Sequence, residues 1–440
     1  MHRLAIKSLR AWAESPRRKP LVVRGARQVG KTWAVQHFGE EHFDGRVHTL
    51  DLERRRDLHR LFEGSLDPTR ILSELETVVG ERITPGRDLL FLDEIQACPR
   101  AIAALRYFVE DIPQLHVIAA GSLLEFALRA ISVPVGRIQY LWMQPLTFVE
   151  YLRGVGNDPA ADTVDEGPRP LSETVHRALL GHVRDYMFVG GMPAAVSAYA
   201  TSGRLLDAFD VHDEIVTSYR DDFLKYQPRT DPDSLDDVLV AVASSVGEQI
   251  KYARLSGRVT RPTIKRAFGL LERAQLVRRV EAVRHLGIPL GADVGQRFKA
   301  ILVDVGLMQR LSGLPANIEL AREDLLGIHA GAVAEQFVGQ QLAAALQGGD
   351  RLHYWAREAK SSTAEVDYIV RIGDSVRPVE VKSGPSGRLR SLHMLLSQHP
   401  EVGPGIVLSE APYAELTEQK LVFVPLYYAG ALMGDESGAA

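Results

Sequence analysis

Leu21-Val22-Val23-Arg24-Gly25-Ala26-Arg27-Gln28-Val29-Gly30-Lys31-Thr32 is the stretch that decides the fold. Its first three residues read as a short buried strand, Gly25 to Thr32 satisfy the pattern G-x-x-x-x-G-K-[ST], and a helix-compatible run follows. Each residue type has a chemical reason. Glycines let backbone N–H groups wrap phosphates at a helix N-terminus, a lysine reaches the β and γ phosphates, and a threonine hydroxyl ligates Mg2+. Gly25, Arg27, Gly30, Lys31 and Thr32 are therefore expected to hold ATP, with Thr32 on the metal. The competing reading is a chance glycine turn, which both flanks argue against.

Some sixty residues on, Leu89-Leu90-Phe91-Leu92-Asp93-Glu94 is an apolar run ending in two carboxylates, the form of a buried strand that delivers acids to the edge of a sheet where ligands bind. Asp93 is expected to hold Mg2+ through water and Glu94 to orient or deprotonate the attacking water. The run Val117-Ile118-Ala119-Ala120 ends in Gly121-Ser122, which makes Ser122 a sensor of the γ-phosphate or, more blandly, a helix cap. Gly136-Arg137 precedes a last strand, Ile138 to Leu141, so Arg137 is either an arginine finger completing a neighbouring copy's site or a member of a surface ion pair. With Val47 to Leu50, these runs alternate with helical patterns from Pro20 to Leu146, and a parallel sheet covered by helices, an α/β fold, is expected.

The chain of 440 residues is long enough for about three domains. Its 45% apolar and 25% charged residues suit a soluble globular protein. A single cysteine, Cys98, excludes an intrachain disulfide framework and points to a reducing compartment. The N-terminal residues lack an apolar signal region and the apolar stretch Val117 to Val135 is broken by Glu125 and Arg129, so a cytoplasmic protein without membrane contact is expected. The net charge of −4 conceals an asymmetry: Lys251 to Ala300 holds twelve Lys and Arg against three Asp and Glu, a local +9. Such clustering is what a phosphate-backbone partner requires.

Beyond the first sheet, Asn157 to Ser172 reads as a loop beside a helical lid that runs to Tyr226, and Gln227 to Asp233, with two prolines, as a linker. Asp236 to Ile250 and Thr260 to Glu272 read as amphipathic helices. In the second, Ile264, Phe268 and Leu271 form the apolar stripe, leaving Arg261, Lys265 and Arg266 to face elsewhere. Gln275 to Arg284, with Arg278 and Arg279, suits a short basic wing, so the segment resembles a winged helix-turn-helix whose natural partner is double-stranded or branched DNA. Protein contacts or simple solvation of the basic residues are the alternatives. From Leu325 the pattern returns to α/β, with a helix from Gly331 to Leu346 and strands at His353 to Trp355, Val366 to Arg371 and Arg377 to Val381. Glu380 and Lys382 lie two apart on one strand and share a face, with Asp367 on the strand before.

Taken together, Gly25 to Thr32, Leu92-Asp93-Glu94-Ile95-Gln96, Gly121-Ser122, Gly136-Arg137, Pro145-Leu146-Thr147-Phe148, Gly190-Gly191-Met192-Pro193, Val303-Asp304-Val305-Gly306-Leu307, Glu365-Val366-Asp367-Tyr368 and Val379-Glu380-Val381-Lys382 give the chain a resemblance, over nearly its whole length, to bacterial and archaeal AAA+ ATPases of the AAA_14 type with a C-terminal DUF4143 region. The resemblance implies a P-loop ATPase domain at 1–146, a helical lid at 147–230, a winged helix-turn-helix at 231–322, a domain similar to PD-(D/E)xK nucleases (restriction-endonuclease-like) at 323–433 and a tail at 434–440. By the same resemblance Pro193 approaches the adenine, though a plain helix-starting turn explains it as well. Glu335, Asp367 and Glu380 would hold a second Mg2+ beside Lys382, which helps to activate water, or the fold would be kept for binding alone. The leading expectation is an ATP-dependent machine acting on DNA. The alternatives are a nucleotide-dependent switch and a protein-interaction scaffold, and Arg137 acting in a neighbour's site would require a homo-oligomer.

Overall fold

A computed structural model describes residues 2–44, 46–122, 124, 136–224, 230–292, 298–313, 325–346, 350–357, 364–384 and 387–433, with no side-chain description at 292 and 325–329. The chain forms two compact units, His2–Gln144 and Pro145–Ala440.

In the first unit, strands β1 (Leu21–Arg24), β2 (Val47–Asp51), β3 (Leu89–Asp93), β4 (His116–Ala120) and β5 (Gln139–Trp142) form one sheet in the order β2-β3-β4-β1-β5, every neighbouring pair parallel. All five residues of β3 and of β4 are buried, which is why they read as unbroken apolar runs rather than as alternating ones. Helices Ala5–Glu14, Lys31–His42, Pro68–Val79 and Pro99–Asp111 accompany the sheet. The third is started by Asp67, whose side chain accepts from Thr69 N, and stopped by Gly80 in the left-handed region at φ 79°. Because β1, β3 and β4 are adjacent and parallel, the segments following Arg24, Asp93 and Ala120 emerge at the same sheet edge.

The second unit opens with helices at Phe148–Gly154, Asp158–Asp165, Glu173–Val189, Pro193–Ser202 and Leu205–Phe223, then Pro232–Ala243, Tyr252–Leu255 and Arg261–Arg273. The expectation of a loop from Asn157 to Ser172 is corrected: Asn157 caps a helix through Ala160 N at 3.3 Å, Pro159 sits in its first turn, and Arg153 grips Asp162 and Asp165 at 2.9 and 2.8 Å. The expected helix Asp236 to Ile250 instead spans Pro232–Ala243. Asp231 caps its start, Ser244 and Ser245 turn their hydroxyls back onto Val240 O and Ala241 O beyond its end, and Gly247 follows at φ 86°. Of the expected linker, residues 227–229 lie outside the described residues and Pro232 already belongs to that helix. The expected tail at 434–440 also lies outside them.

The remaining strands are β6 (Val277–His285), β7 (Gly291–Ala292), β8 (Phe298–Leu302), β9 (Leu352–Ala356), β10 (Glu365–Ile372), β11 (Ser375–Val381), β12 (Gly405–Ser409), β13 (Ala414–Leu416) and β14 (Leu421–Pro425). They form one mixed sheet in the order β13-β14-β12-β11-β10-β9-β6-β7, with β8 on β6. The segment expected as a separate wing is thus only half separate. β6 pairs antiparallel with β8, as a wing hairpin would, but its other edge pairs parallel with β9 across the register Val280↔Leu352, so the basic module and the C-terminal α/β region share a sheet. Helix Leu325–Ala345 and helix Arg390–Gln398 accompany it, the latter packing Leu392, Leu395 and Leu396 on Val366 and Ile369 of β10.

Candidate nucleotide site and acid cluster

Gly30 stands at φ 88°, a left-handed position that glycine adopts without penalty, and from it helix Lys31–His42 begins. Gly25 is required for another reason: a Cβ there would lie 2.3 Å from Met143 O. The loop is thereby pinned between β1 and the end of β5. Lys31 is buried, 7% exposed, and donates to Gly25 O at 3.1 Å and Ala26 O at 2.7 Å. Burial outweighs the neighbouring Glu94 and Asp93 and, together with Arg27, lowers its ammonium to about 8. A cation held this way, among carbonyls of its own loop, is poised for anionic oxygens.

The Thr32 hydroxyl donates to Asp93 Oδ2 at 2.9 Å, joining the first turn of that helix to the end of β3. Asp93 is pushed above the usual carboxylate range, first by burial and then by Glu94 and Asp51. The Thr32 hydroxyl and the buried Asp93 carboxylate, with Glu94 next to it, are hard oxygen donors of the kind that Mg2+ prefers, so the residues fit the ion. Glu94 stands in the left-handed region at φ 47°, and its carboxylate accepts from the Gln96 amide. Gly121, after β4, has no side chain because a Cβ would lie 2.1 Å from Gln96 Oε1. Gln96 as the group that orients Glu94 was missed as a role in the sequence, although the spacing Asp-Glu-x-Gln signals it. Ser122 is buried at the same sheet edge, following β4.

One residue of the first unit lies apart from this group. Arg137 precedes β5, which runs parallel to β1, so it sits at the sheet edge opposite the glycine loop. There its Nε meets Glu110 Oε1 at 3.0 Å, in a surface ion pair that Glu110 also makes with Arg106. Pro193 belongs to the second unit and occupies the first turn of helix Pro193–Ser202.

Along helix Arg261–Arg273 the residues Ile264, Ala267, Phe268 and Leu271 are buried, and Arg261, Lys265 and Arg266 are exposed on the opposite side. Arg278 and Arg279 do not form an exposed basic wing, which corrects that expectation. Burial lowers Arg278. Arg279 bonds Tyr252 Oη at 3.0 Å and Glu272 at 3.2 Å and lies over the Phe298 ring, 4.2 Å from its centroid.

In the C-terminal region the acids expected to be together are together, with two additions. Val381 N donates to Asp367 Oδ2 at 2.9 Å and Lys382 Nζ meets Glu380 Oε1 at 2.6 Å. Lys299 of β8, 1% exposed, brings its Nζ to 2.5 Å from Glu335 Oε1, 2.9 Å from Glu365 Oε1 and 3.5 Å from Asp367 Oδ1. Burial pushes Glu335 and Glu380 up. Burial would also pull Lys299 down, but Glu335, Asp367 and Glu365 prevail and hold its proton well above the ordinary lysine range. Lys299 and Glu365 were not foreseen, since a lysine inside Phe298-Lys299-Ala300-Ile301-Leu302 carries no local sign of its partners. Among the described residues no group of three or more His, Cys, Asp or Glu is arranged to hold a metal ion.

Residues 17–152 match the AAA domain family AAA_14, residues 180–317 the domain of unknown function DUF8612, and residues 330–428 the domain of unknown function DUF4143. None of the curated proteins compared with the chain matches it. Among solved structures, a Walker-type ATPase of Pyrococcus abyssi aligns at 15% identity and a TM-score of 0.43, over 70% of this chain and 94% of that one. The Aeropyrum pernix ORC1 protein in complex with DNA aligns at 15% identity and 0.30, over 72% and 92%. The Thermotoga maritima RuvB Holliday junction branch migration motor aligns at 15% and 0.30, over 64% and 90%. Among the described residues no helix is long and apolar enough to cross a membrane.

Proposed function

Because the chain is an AAA-type ATPase of the AAA_14 and DUF4143 kind, we propose that it binds ATP with Mg2+ between Gly25 and Thr32, hydrolyses it with Glu94, and couples the cycle to DNA held on the basic helix Arg261–Arg273. The observation that carries the ATPase reading is the 2.9 Å bond between Thr32 and Asp93, which brings the two motifs of the site to one point. Thr32 and Asp93 would hold Mg2+, which would supply positive charge against the negative charge that develops on the phosphate oxygens. Lys31 meets the phosphates and Arg27 adds a second positive charge. Glu94, held by Gln96, takes the proton of the attacking water, and Ser122 stands where β4 ends to report on the γ-phosphate. Arg137, facing away from its own loop, acts on a neighbouring copy in a homo-oligomer.

Lys31 gives this reading a pH signature. Its ammonium loses its proton near 8 in the nucleotide-free protein, whereas phosphate oxygens around it favour the charged form and raise that value. ATP affinity is therefore at its full strength below pH 8 and falls as pH rises toward the nucleotide-bound value, by at most about tenfold per pH unit. Calorimetry at pH 9 in buffers of different ionisation enthalpy should show a proton taken up on binding. Proton release or no exchange would remove Lys31 from the phosphate contact.

DNA coupling is tested by ATP hydrolysis with and without linear and four-way-junction DNA. Stimulation is expected, together with binding whose salt dependence loses about one unit of slope for each of Arg261→Ala and Lys265→Ala. A rate indifferent to every DNA would leave a nucleotide-gated switch on the same ATP site. Charge alone favours the DNA partner here, since the exposed basic helix lies within the +9 segment of an otherwise acidic chain.

A further inference from the structure

The acids that resemble a nuclease's metal ligands enclose something other than a metal position. Oxygens of Glu335, Glu365 and Asp367, from one helix and one strand, converge on the Lys299 ammonium within 3.5 Å, and that lysine arrives from β8, outside the residues 330–428 that carry the acids. Gln249 Nε2 holds the other oxygen of Glu365 at 2.8 Å, and Val381 N holds the other oxygen of Asp367 at 2.9 Å. Glu380, the remaining acid, accepts from Lys382 through Oε1 at 2.6 Å, and its Oε2 is buried without a hydrogen-bond partner. A divalent ion needs several oxygens at about 2.0–2.6 Å. To collect them here it would have to evict a buried ammonium from three carboxylates, and the displaced charge would have no partner.

We propose that Lys299 is the built-in cation of this cluster, so that the C-terminal α/β region is metal-free, is locked to the basic module through β8, and does not work as an Mg2+-dependent nuclease. Lys299 bears the load that a metal carries in an active relative of such a fold: it neutralises the acids and fixes helix Leu325–Ala345 and β10 on one point. The basic module and the acid region then move together, because the lock closes between strands that already share a sheet. The inference does not depend on the ATPase reading, since it concerns residues of the second unit alone.

Mn2+ binding to the full-length protein, followed by electron paramagnetic resonance of the free ion, tests it. The experiment is done without nucleotide in an Asp93→Ala background, which removes the metal position of the nucleotide site. In that background no Mn2+ should bind at sub-millimolar concentration, and adding Asp367→Asn should change nothing. Adding Lys299→Met should create one site, at least tenfold tighter than anything before it, which Asp367→Asn then abolishes. If one Mn2+ binds while Lys299 is present and is lost on Asp367→Asn, the proposal is overturned. That comparison decides the matter even if Lys299→Met fails to fold. A folded Lys299→Met protein that gains no ion would overturn it as well, since the converging oxygens would then not constitute a cation site.

Discussion

Lys31→Ala is expected to cut ATP hydrolysis about a hundred- to a thousandfold, the loss that follows removal of one preorganised donor to developing charge. Stability is expected to move little, or upward, because the side chain removed is a buried ammonium whose contacts are two carbonyls of its own loop, Gly25 O and Ala26 O. That contrast separates chemistry from folding. Steady-state hydrolysis and a thermal melt without nucleotide are measured on the same preparation. A variant retaining more than about a tenth of wild-type turnover would place the phosphate contact elsewhere, since even one lost oxyanion donor exceeds that effect. A melt lowered by several degrees would instead show Lys31 holding the loop together.

The nucleotide site was legible because its parts are local. The glycine loop lies between a strand and a helix that are contiguous with it, and the observed strands β1 to β5 begin and end within about one residue of the apolar runs that announced them. The acid cluster was legible only as far as its own strands. Asp367, Glu380 and Lys382 share a hairpin, whereas Lys299 reaches them from a strand that sequence reading counted toward a basic surface. The same count took in Arg279, which is turned onto Phe298 and Glu272. Composition records charge without direction, so the +9 of residues 251–300 overstates what a partner would meet. The pairing of β6 with β9 joins residues some seventy apart, and no periodicity of either strand reveals which edge will meet which. The helix after Asn157 was hidden for a different reason. Pro, Gly and Asp suggested a loop, but an Asn followed by Asp-Pro is also how a helix starts, and Arg153 supplied the pairing that kept it.

Asp304→Ala is expected to destabilise the second unit by about 3–5 kcal/mol, the scale for breaking a buried charge-assisted network on one side. Asp304 is fully buried. Its Oδ1 accepts from Gly306 N and Leu307 N at 3.0 and 3.1 Å, capping helix Val305–Leu311, and its Oδ2 accepts from Gly191 N at 2.6 Å and Gln340 Nε2 at 3.2 Å. Without the carboxylate, three backbone donors are left buried and unsatisfied. Hydrogen exchange at Gly191, Gly306 and Leu307 should accelerate by about two orders of magnitude or more, and unchanged protection there would show that the network is not what holds this region. Two motifs separated by more than a hundred residues, Gly190-Gly191-Met192-Pro193 and Val303-Asp304-Val305-Gly306-Leu307, are thereby one structural element. Gly190 stands at φ 67°, where a Cβ would lie 2.2 Å from Asp304 Oδ1, and a Cβ on Gly306 would lie 2.5 Å from the His212 ring. The glycines are small because a carboxylate and an imidazole are packed against them, and Pro193 suits the first turn of the helix it begins. Pro193, the residue expected beside the adenine, thus has a structural reason within its own unit, so a Pro193→Ala variant that left ATP affinity untouched would need no second explanation.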